Sequence, residues 1–147
     1  MKEIIKIAKK NKIKILEDSC EALGAKLGKK FVGTMGDAGV FSLDFAKTIT
    51  TGEGGLIVTN NKKINDFCRE FRDHGHQNNS NYPRGQDTRT NWGLNLRMSE
   101  LQAAVGIAQL KKLKIIVKKN YENKSLLKKL IKNPLISFKR SVLNSVE

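Results

Sequence analysis

One stretch of this 147-residue chain decides its fold: residues 38–59 read AGVFSLDFAKTITTGEGGLIVT. The apolar run Ala38 to Leu43 is typical of a buried strand, and a second strand is predicted over residues 55–59, after a turn rich in threonine and glycine. Lys47 stands between the first strand and that turn. Because a lysine is rarely buried unless its amine is paired or reactive, Lys47 is the first candidate for chemistry.

A carboxylate stands at the corresponding place upstream. Glu17 and Asp18 close the short apolar run Ile13 to Leu16, which predicts another strand. A strand-end carboxylate and a strand-end lysine are the minimum set for pyridoxal phosphate. The amine forms a Schiff base with the aldehyde, and the carboxylate keeps the pyridine nitrogen protonated so that the ring accepts electrons. The same pattern also fits a lysine in a solvated loop and a carboxylate that caps a strand or helix.

Helical and strand patterns alternate around these residues. They predict a helix over Lys2 to Lys10, a small hairpin over Lys26 to Val32, and a helix over Lys62 to Arg72. This α/β order predicts a parallel or mixed sheet that places ligands at strand ends. Residues 75–92 form a long polar loop, which is either functional or a mobile surface segment.

A long helix is predicted after the loop. Ser99 and Gln102 form the S-x-x-Q pattern of a capping box, and we expect the helix to reach about Leu130 with a break on the way. The buried stripe of this helix is predicted to consist of Met98, Leu101, Val105 and Ala108. After the helix ends, a strand of a further domain is expected over Leu135 to Phe138.

The chain is strongly basic, with a formal net charge of +14 from 28 Lys+Arg against 14 Asp+Glu. Such an excess favours an anionic partner such as nucleic acid. Residues 111–140 hold eleven of the basic residues and a single acid, Glu122. Because no RNA-binding signature, zinc spacing or interleaved aromatic platform accompanies them, we expect no nucleic-acid partner, and a basic binding module ranks last among the functions.

Cysteine and histidine usage excludes two further kinds of site. Cys20 and Cys68 have neither metal spacing nor a pairing signal, which suits a reducing cytoplasm. His74 and His76 have no evident third ligand, so no metal site is predicted. The chain also has no apolar run near the ~18 residues of a membrane span, and its charged start is unlike a signal peptide. We therefore expect a cytoplasmic protein with no membrane partner.

Four separate motifs occur in an order that points to one family. They are EDSCEALGA at residues 17–25, GTMGD at 33–37, TGEGG at 51–55 and GLNLRMSELQAA at 93–104. Together with Lys47, they resemble the DegT/DnrJ/EryC1/StrS family of pyridoxal-phosphate-dependent sugar aminotransferases, over roughly residues 1–115.

The resemblance implies a fold and a division of the chain. The fold would be α/β, part of the large domain of the aspartate aminotransferase-like transferases of fold type I, with a mixed, mainly parallel sheet and the start of the small domain. Residues 1–110 would be the C-terminal half of the large domain. Residues 111–147 would be a long helix and the start of a truncated small domain. The turn that wraps the cofactor phosphate and the aromatic that stacks on its ring would lie ahead of this segment.

The resemblance also implies roles for five residues. Lys47 would be the Schiff-base lysine and proton carrier, its pKa lowered by burial and nearby cationic groups. Asp18 would pair with the pyridinium nitrogen, and Ser42 would donate to the cofactor phosphate. Asn95 would reach the phosphate of the neighbouring subunit's cofactor, which implies a homodimer with shared sites. Glu21 stands where the family commonly has a glutamine packed against the ring.

The implied reaction is amino transfer, typically from glutamate, to a keto-sugar or nucleotide-linked keto-sugar in surface-polysaccharide or amino-sugar biosynthesis. Arg89 and Arg97 are candidates for binding the anionic part of a sugar nucleotide. A sister group that dehydrates sugars carries histidine in place of the lysine, so Lys47 favours amino transfer. Residues 47–50 and 73–76 are similar to the branch that aminates C8 of a keto-octulosonate. The alternative is a chain without catalysis, either an inactive remnant or one half of a split enzyme.

Overall fold

The computed structural model describes residues 1–139 and 145–146. The helices in this part of the chain are α1 (Lys2–Lys10), α2 (Lys62–Phe71) and α3 (Glu100–Leu130). The strands are β1 (Leu16–Asp18), β2 (Lys26–Leu27), β3 (Lys30–Phe31), β4 (Ala38–Ser42), β5 (Gly55–Val58) and β6 (Ser145–Val146). A short 3₁₀ helix, Arg84–Gln86, lies in the loop between α2 and α3.

The central sheet contains three strands in the order β1-β4-β5. β1 and β4 are parallel, with Asp18 opposite Val40, whereas β4 and β5 are antiparallel, with Ser42 opposite Gly55. The prediction of a mixed sheet is therefore confirmed. Because β1 and β4 run in the same direction, their C-terminal residues, Asp18 and Ser42, lie at the same edge of the sheet, where α/β proteins bind ligands.

The loop before β4 lies against the backbone of that strand. A Cβ atom added at Gly39 would be 2.0 Å from the carbonyl oxygen of Gly33, and one added at Gly33 would be 2.5 Å from the Phe41 ring. Only glycine fits at such a close backbone approach. Phe41 is buried in the small core together with Leu43 and Ile49, so this loop, β4 and the segment after it pack as one unit.

The structure confirms the elements whose sequence signals lie within a few residues of one another. The hairpin predicted over Lys26 to Val32 consists of β2 and β3, which pair antiparallel, and β6 pairs with the other side of β2. α2 begins where the Asn61 side chain accepts hydrogen bonds from two backbone N–H groups of its first turn. Such a cap satisfies donors that have no partner within the helix.

The first strand begins later than the sequence predicts. Ile13 is 60% exposed, and the Ile15 N–H donates to the Asp37 carboxylate rather than to a strand, with a distance of 2.9 Å. Pairing therefore starts at Leu16, and Asp18 is the last strand residue rather than the residue after the strand. The predicted strand over Ile13 to Leu16 is wrong in its position, but Asp18 remains at its C-terminal end.

α3 has the predicted capping box at Ser99 but not the predicted break, since it is continuous from Glu100 to Leu130. The predicted buried stripe is also wrong: Leu101 is 82% exposed, and Val105 and Ala108 are exposed as well. The helix instead packs through Gly106, where an added Cβ would be 3.1 Å from Thr51. Apolar residues surround much of this helix, so their spacing does not identify the face that the described residues cover.

The strand predicted over Leu135 to Phe138 is absent from the described part of the chain. The Leu135 N–H donates to the Asn133 side chain at 2.9 Å instead of to a strand, and the Ile136 N–H donates to the Asn133 carbonyl at 3.1 Å. Asn133 therefore directs these residues into a turn. None of the helices within residues 1–139 is both long enough and apolar enough to cross a membrane.

Candidate active site

Lys47 forms an ion pair with Glu21, a residue 26 positions earlier in the chain. Only 20% of the Lys47 side chain is exposed, compared with 81% of the Glu21 side chain. The hydrogen bond from the Lys47 ammonium to Glu21 raises the pKa of Lys47 above its usual value. The expectation of a lowered pKa is therefore wrong for this structure, because the nearby charged groups that act on the amine are anionic rather than cationic.

The backbone around Lys47 is fixed by several hydrogen bonds. The Leu43 N–H donates to the Gly54 carbonyl at 2.9 Å, and the Thr51 N–H donates to the Leu43 carbonyl at 3.0 Å. The Lys47 N–H donates to the Asp44 carbonyl at 3.1 Å. Ile49, only 1% exposed, anchors the middle of the segment. Lys47 is thus carried on an ordered turn between β4 and β5, not in a solvated loop.

Asp18 presents an ionised carboxylate at the end of β1. Its Oδ1 atom accepts a hydrogen bond from the Cys20 N–H at 3.1 Å. Hydrogen bonding to the Cys20 thiol and N–H lowers the pKa of Asp18, and the charge of Lys47 lowers it further. The same contact raises the pKa of the Cys20 thiol. The carboxylate is therefore available as an anion within electrostatic range of the Lys47 amine.

Ser42 ends β4 beside these two residues and is half-buried. Its Oγ atom accepts a hydrogen bond from the Asp44 N–H at 3.3 Å. Because a hydroxyl accepts and donates at once, the Ser42 O–H remains able to donate to an anionic group. The structure therefore brings Asp18, Glu21, Ser42 and Lys47 to one edge of the sheet.

Asn95 belongs to a different part of the molecule. It pairs with Asp73 in an isolated antiparallel bridge, and its side chain is exposed. Its position is compatible with contact to a neighbouring subunit, and its role remains a prediction.

Glu17 is a residue that the sequence reasoning missed. It is buried, with 7% exposure, and its carboxylate accepts three backbone N–H groups, from Gly33 at 2.9 Å and from Met35 and Gly36 at 2.5 Å. These bonds tie the loop before β4 to the strand that carries Asp18. Alternation along the strand gave a signal, since residue 17 faces away from residues 16 and 18.

The loop at residues 75–92 is ordered around a buried carboxylate just before it. Asp73 accepts hydrogen bonds from Arg84, at 2.9 and 2.5 Å, and from Arg97 at 2.6 Å. These contacts hold the pKa of Asp73 well below its usual range, and the hydrogen bond from Arg84 has the largest effect. The alternative of a mobile surface segment is therefore not favoured, and Arg97 is engaged with the loop as well as being a candidate for anion binding.

A second polar cluster closes the same loop. The Arg89 guanidinium lies 2.8 Å from Nε2 of the buried His76, and Asp87 accepts from the backbone of Asn78 at 2.7 Å and of Asn79 at 3.1 Å. An arginine only donates, so Nε2 of His76 is the acceptor in this contact. Within residues 1–139 and 145–146, no group of three or more potential metal-ligating side chains lies together.

A cavity of about 520 Å³ lies next to the Lys47 turn. It is bounded by Glu21 and Thr48 on the side of the sheet, by Leu27 and Val32 of the hairpin, and by Val117 of α3. Its walls are mostly apolar with polar groups near Lys47, which is typical of a site for a small organic ligand.

Comparison with known proteins identifies relatives of this chain. The DegT/DnrJ/EryC1/StrS aminotransferase family matches residues 1–140. GDP-perosamine synthase of Escherichia coli O157:H7 is 38% identical over 135 residues, which are 89% of this chain and 35% of that protein. The chain thus spans about a third of the length of this curated relative.

Several solved structures resemble this fold, among them the following two. Helicobacter pylori PseC, an aminotransferase involved in the biosynthesis of pseudoaminic acid, is 35% identical, with a TM-score of 0.77 over 88% of this chain and 34% of that one. Escherichia coli GDP-4-keto-6-deoxy-D-mannose-3-dehydratase with bound hydrated PLP is 32% identical, with a TM-score of 0.78 over 99% of this chain and 41% of that one. The predicted partial fold is confirmed by these likenesses.

Proposed function

The chain belongs to the DegT/DnrJ/EryC1/StrS aminotransferase family, and from this premise we propose that it carries the lysine-bearing part of a pyridoxal-phosphate-dependent sugar aminotransferase. One observation supports the proposal above the others. The parallel pairing of β1 and β4 brings Asp18 and Ser42 to one edge, with the largely buried Lys47 on the ordered turn that follows β4.

The side chains at this edge of the sheet fit the proposed cofactor. Asp18 is an anion, which suits a protonated ring nitrogen, and Ser42 has an O–H that can donate to a phosphate oxygen. Lys47 provides the primary amine that an aldehyde requires. When bound, pyridoxal phosphate would supply the electron sink for proton removal at the carbon that carries nitrogen.

Each residue then has a defined task. Asp18 holds the proton on the ring nitrogen, and Ser42 binds the phosphate. Lys47 would supply the amine that holds the aldehyde and would carry a proton at its Nζ atom during amino transfer. Asn95 reaches the phosphate held by a neighbouring copy, so the complete enzyme works as a homodimer.

The proposed amino donor is glutamate, and the proposed acceptor is a keto-sugar. A nucleotide-linked keto-sugar agrees best with the names of the relatives. Among the relatives, GDP-perosamine synthase is named for a GDP-linked product, and PseC is an aminotransferase involved in the biosynthesis of pseudoaminic acid. We assign the reaction to amino-sugar biosynthesis in the cytoplasm, where the free thiols of Cys20 and Cys68 persist. Lys47 favours amino transfer over the dehydration that names the other structural relative.

The proposal is tested on the complete protein that contains this chain. We expect absorbance from cofactor bound to lysine, and borohydride reduction should fix the cofactor on Lys47. Lys47→Arg should abolish fixation, whereas Lys14→Arg, at a surface lysine that pairs with Asp37, should leave it intact. A reduced adduct on another lysine, or none in folded protein, contradicts the assignment.

A second candidate is one half of a split enzyme or an inactive fragment. The chain covers about a third of its curated relatives, and β1 and β5 are both edge strands of the described central sheet. Exposed strand edges favour pairing with another chain. The two candidates differ in one measurement: a split enzyme regains amino transfer when the missing part is supplied, and an inactive fragment does not.

A further inference from the structure

The ion pair between Lys47 and Glu21 bears on how the proposed lysine becomes reactive. The two residues are far apart in the sequence, and one lies on the loop after β1 while the other lies on the turn after β4. The two side chains differ in exposure, because the Lys47 side chain is largely buried and the Glu21 side chain is exposed. The carboxylate therefore covers the amine from the solvent side.

The other charged or titratable groups that act on Lys47 add no positive charge beside its amine. They are Asp44, Cys20 and Asp18, which are acidic or neutral. Burial among apolar groups or a cationic neighbour makes a lysine amine reactive near neutral pH. No cationic neighbour is among the groups that act on Lys47 in the described residues. Glu21 is the one that contacts the amine directly.

We propose that Glu21 is the counter-ion of Lys47, and that this pair sets the pH at which the amine reacts with a carbonyl compound. This inference rests on the proposed function where it concerns the cofactor. An ammonium group has no lone pair, so Nζ loses one proton to solvent before attack, and Glu21 opposes that loss because it is the anion beside the ammonium. The amine then forms a C–N bond with the aldehyde carbon, and the carbonyl oxygen leaves as water with the two remaining amine hydrogens.

The experiment measures Lys47 in the cofactor-free complete protein. Acetic anhydride labels free amines but not ammonium groups, and mass spectrometry of the Lys47 peptide gives the labelled fraction at each pH. Glu21→Gln keeps the shape of the side chain and removes its charge, so the labelling midpoint should fall to lower pH. At a pH below both midpoints, a midpoint that is lower by one in pH gives about a tenfold higher labelling rate.

The matched control is Asp66→Asn, which removes one negative charge from the Lys62–Asp66 pair on α2. It should leave the Lys47 midpoint unchanged. Circular dichroism verifies that Glu21→Gln is folded, as expected for an exposed position. An unchanged midpoint in Glu21→Gln, or an equal change in both variants, overturns the inference.

A second readout separates this inference from the proposed function. Absorbance follows the rate at which pyridoxal phosphate attaches to Lys47. The midpoint of the pH dependence of this rate should change together with the labelling midpoint. A lowered midpoint without attachment in any variant supports the Glu21–Lys47 pair and rejects the cofactor proposal. Normal attachment with an unchanged midpoint rejects the role of Glu21 and leaves the cofactor proposal standing.

Discussion

Glu17→Gln, which replaces one carboxylate oxygen by an NH₂ group, should loosen the loop before β4. The carboxylate accepts three backbone N–H groups, at 2.9, 2.5 and 2.5 Å, in a buried position. Glutamine has one acceptor oxygen, and its NH₂ group would face at least one of these donors. Losing a charge-assisted hydrogen bond costs about 1.5–3 kcal/mol, and leaving a buried donor without a partner costs about 1–3 kcal/mol. The combined loss is therefore about 2.5–6 kcal/mol, or roughly seventyfold or more in the opening equilibrium.

The assay is amide hydrogen exchange on the complete protein that contains this chain. Exchange at Gly33, Met35 and Gly36 reports opening of the three bonds directly, and it should become roughly seventyfold faster or more in the variant. Glu53→Gln, at an exposed position, is the control and should leave these amides unchanged. Unaltered exchange at the three amides, or equal acceleration across β5, would refute the reasoning.

Further outcomes follow from the same structure. Asp18→Asn should reduce amino transfer far more than cofactor occupancy, because the ring nitrogen loses its proton; equal activity at equal occupancy, by absorbance and turnover, rejects the role. Gly39→Ala should destabilise the protein by about 3 kcal/mol in urea titrations, since the new Cβ would be 2.0 Å from a carbonyl oxygen, whereas Gly85→Ala, with open space around it, should change stability by less than about 0.5 kcal/mol. The stabilising effect of the lowered Asp73 pKa is complete above about pH 4 and is lost as the pH falls through the folded-state pKa, so Arg84→Met should make the loop susceptible to acid protease at a higher pH. The 147-residue chain alone should bind pyridoxal phosphate weakly and catalyse no amino transfer; robust turnover would reject that expectation.

Sequence alone predicted the elements whose signals lie within a few residues. The hairpin, the cap of α3 at Ser99 and the strand β4, predicted one residue longer than Ala38–Ser42, all follow from local periodicity, turn residues and capping. The family resemblance was also visible in short motifs, and it is confirmed by the match over residues 1–140. The placement of Asp18 and Ser42 at one edge follows once β1 and β4 are taken as parallel neighbours.

The remainder depends on partners that are distant in the sequence. The Lys47–Glu21 pair determines the direction in which the Lys47 pKa is shifted, and no local sequence pattern predicts this pair. The start of β1 depends on Asp37, whose carboxylate captures the Ile15 N–H from 22 residues away. The packed face of α3 depends on which of its apolar sides meets the sheet, and the roles of the site residues remain predictions.

The attachment of α3 has a mechanical consequence. The helix is fixed to the turn after Lys47 by a hydrogen bond from Gln102 to the Glu53 carbonyl at 2.8 Å and by the close approach of Gly106 to Thr51. Beyond its contact at Val117, it continues to Leu130, a length of about 20 Å. The helix is therefore a lever with two arms of similar length, about 17 Å from Val117 to Gly106 at the lysine turn and about 20 Å from Val117 to Leu130. A tilt of about 5° around Val117 would displace the far end by roughly 2 Å and the end at the lysine turn by roughly 1.5 Å, so movement at either end is passed to the other.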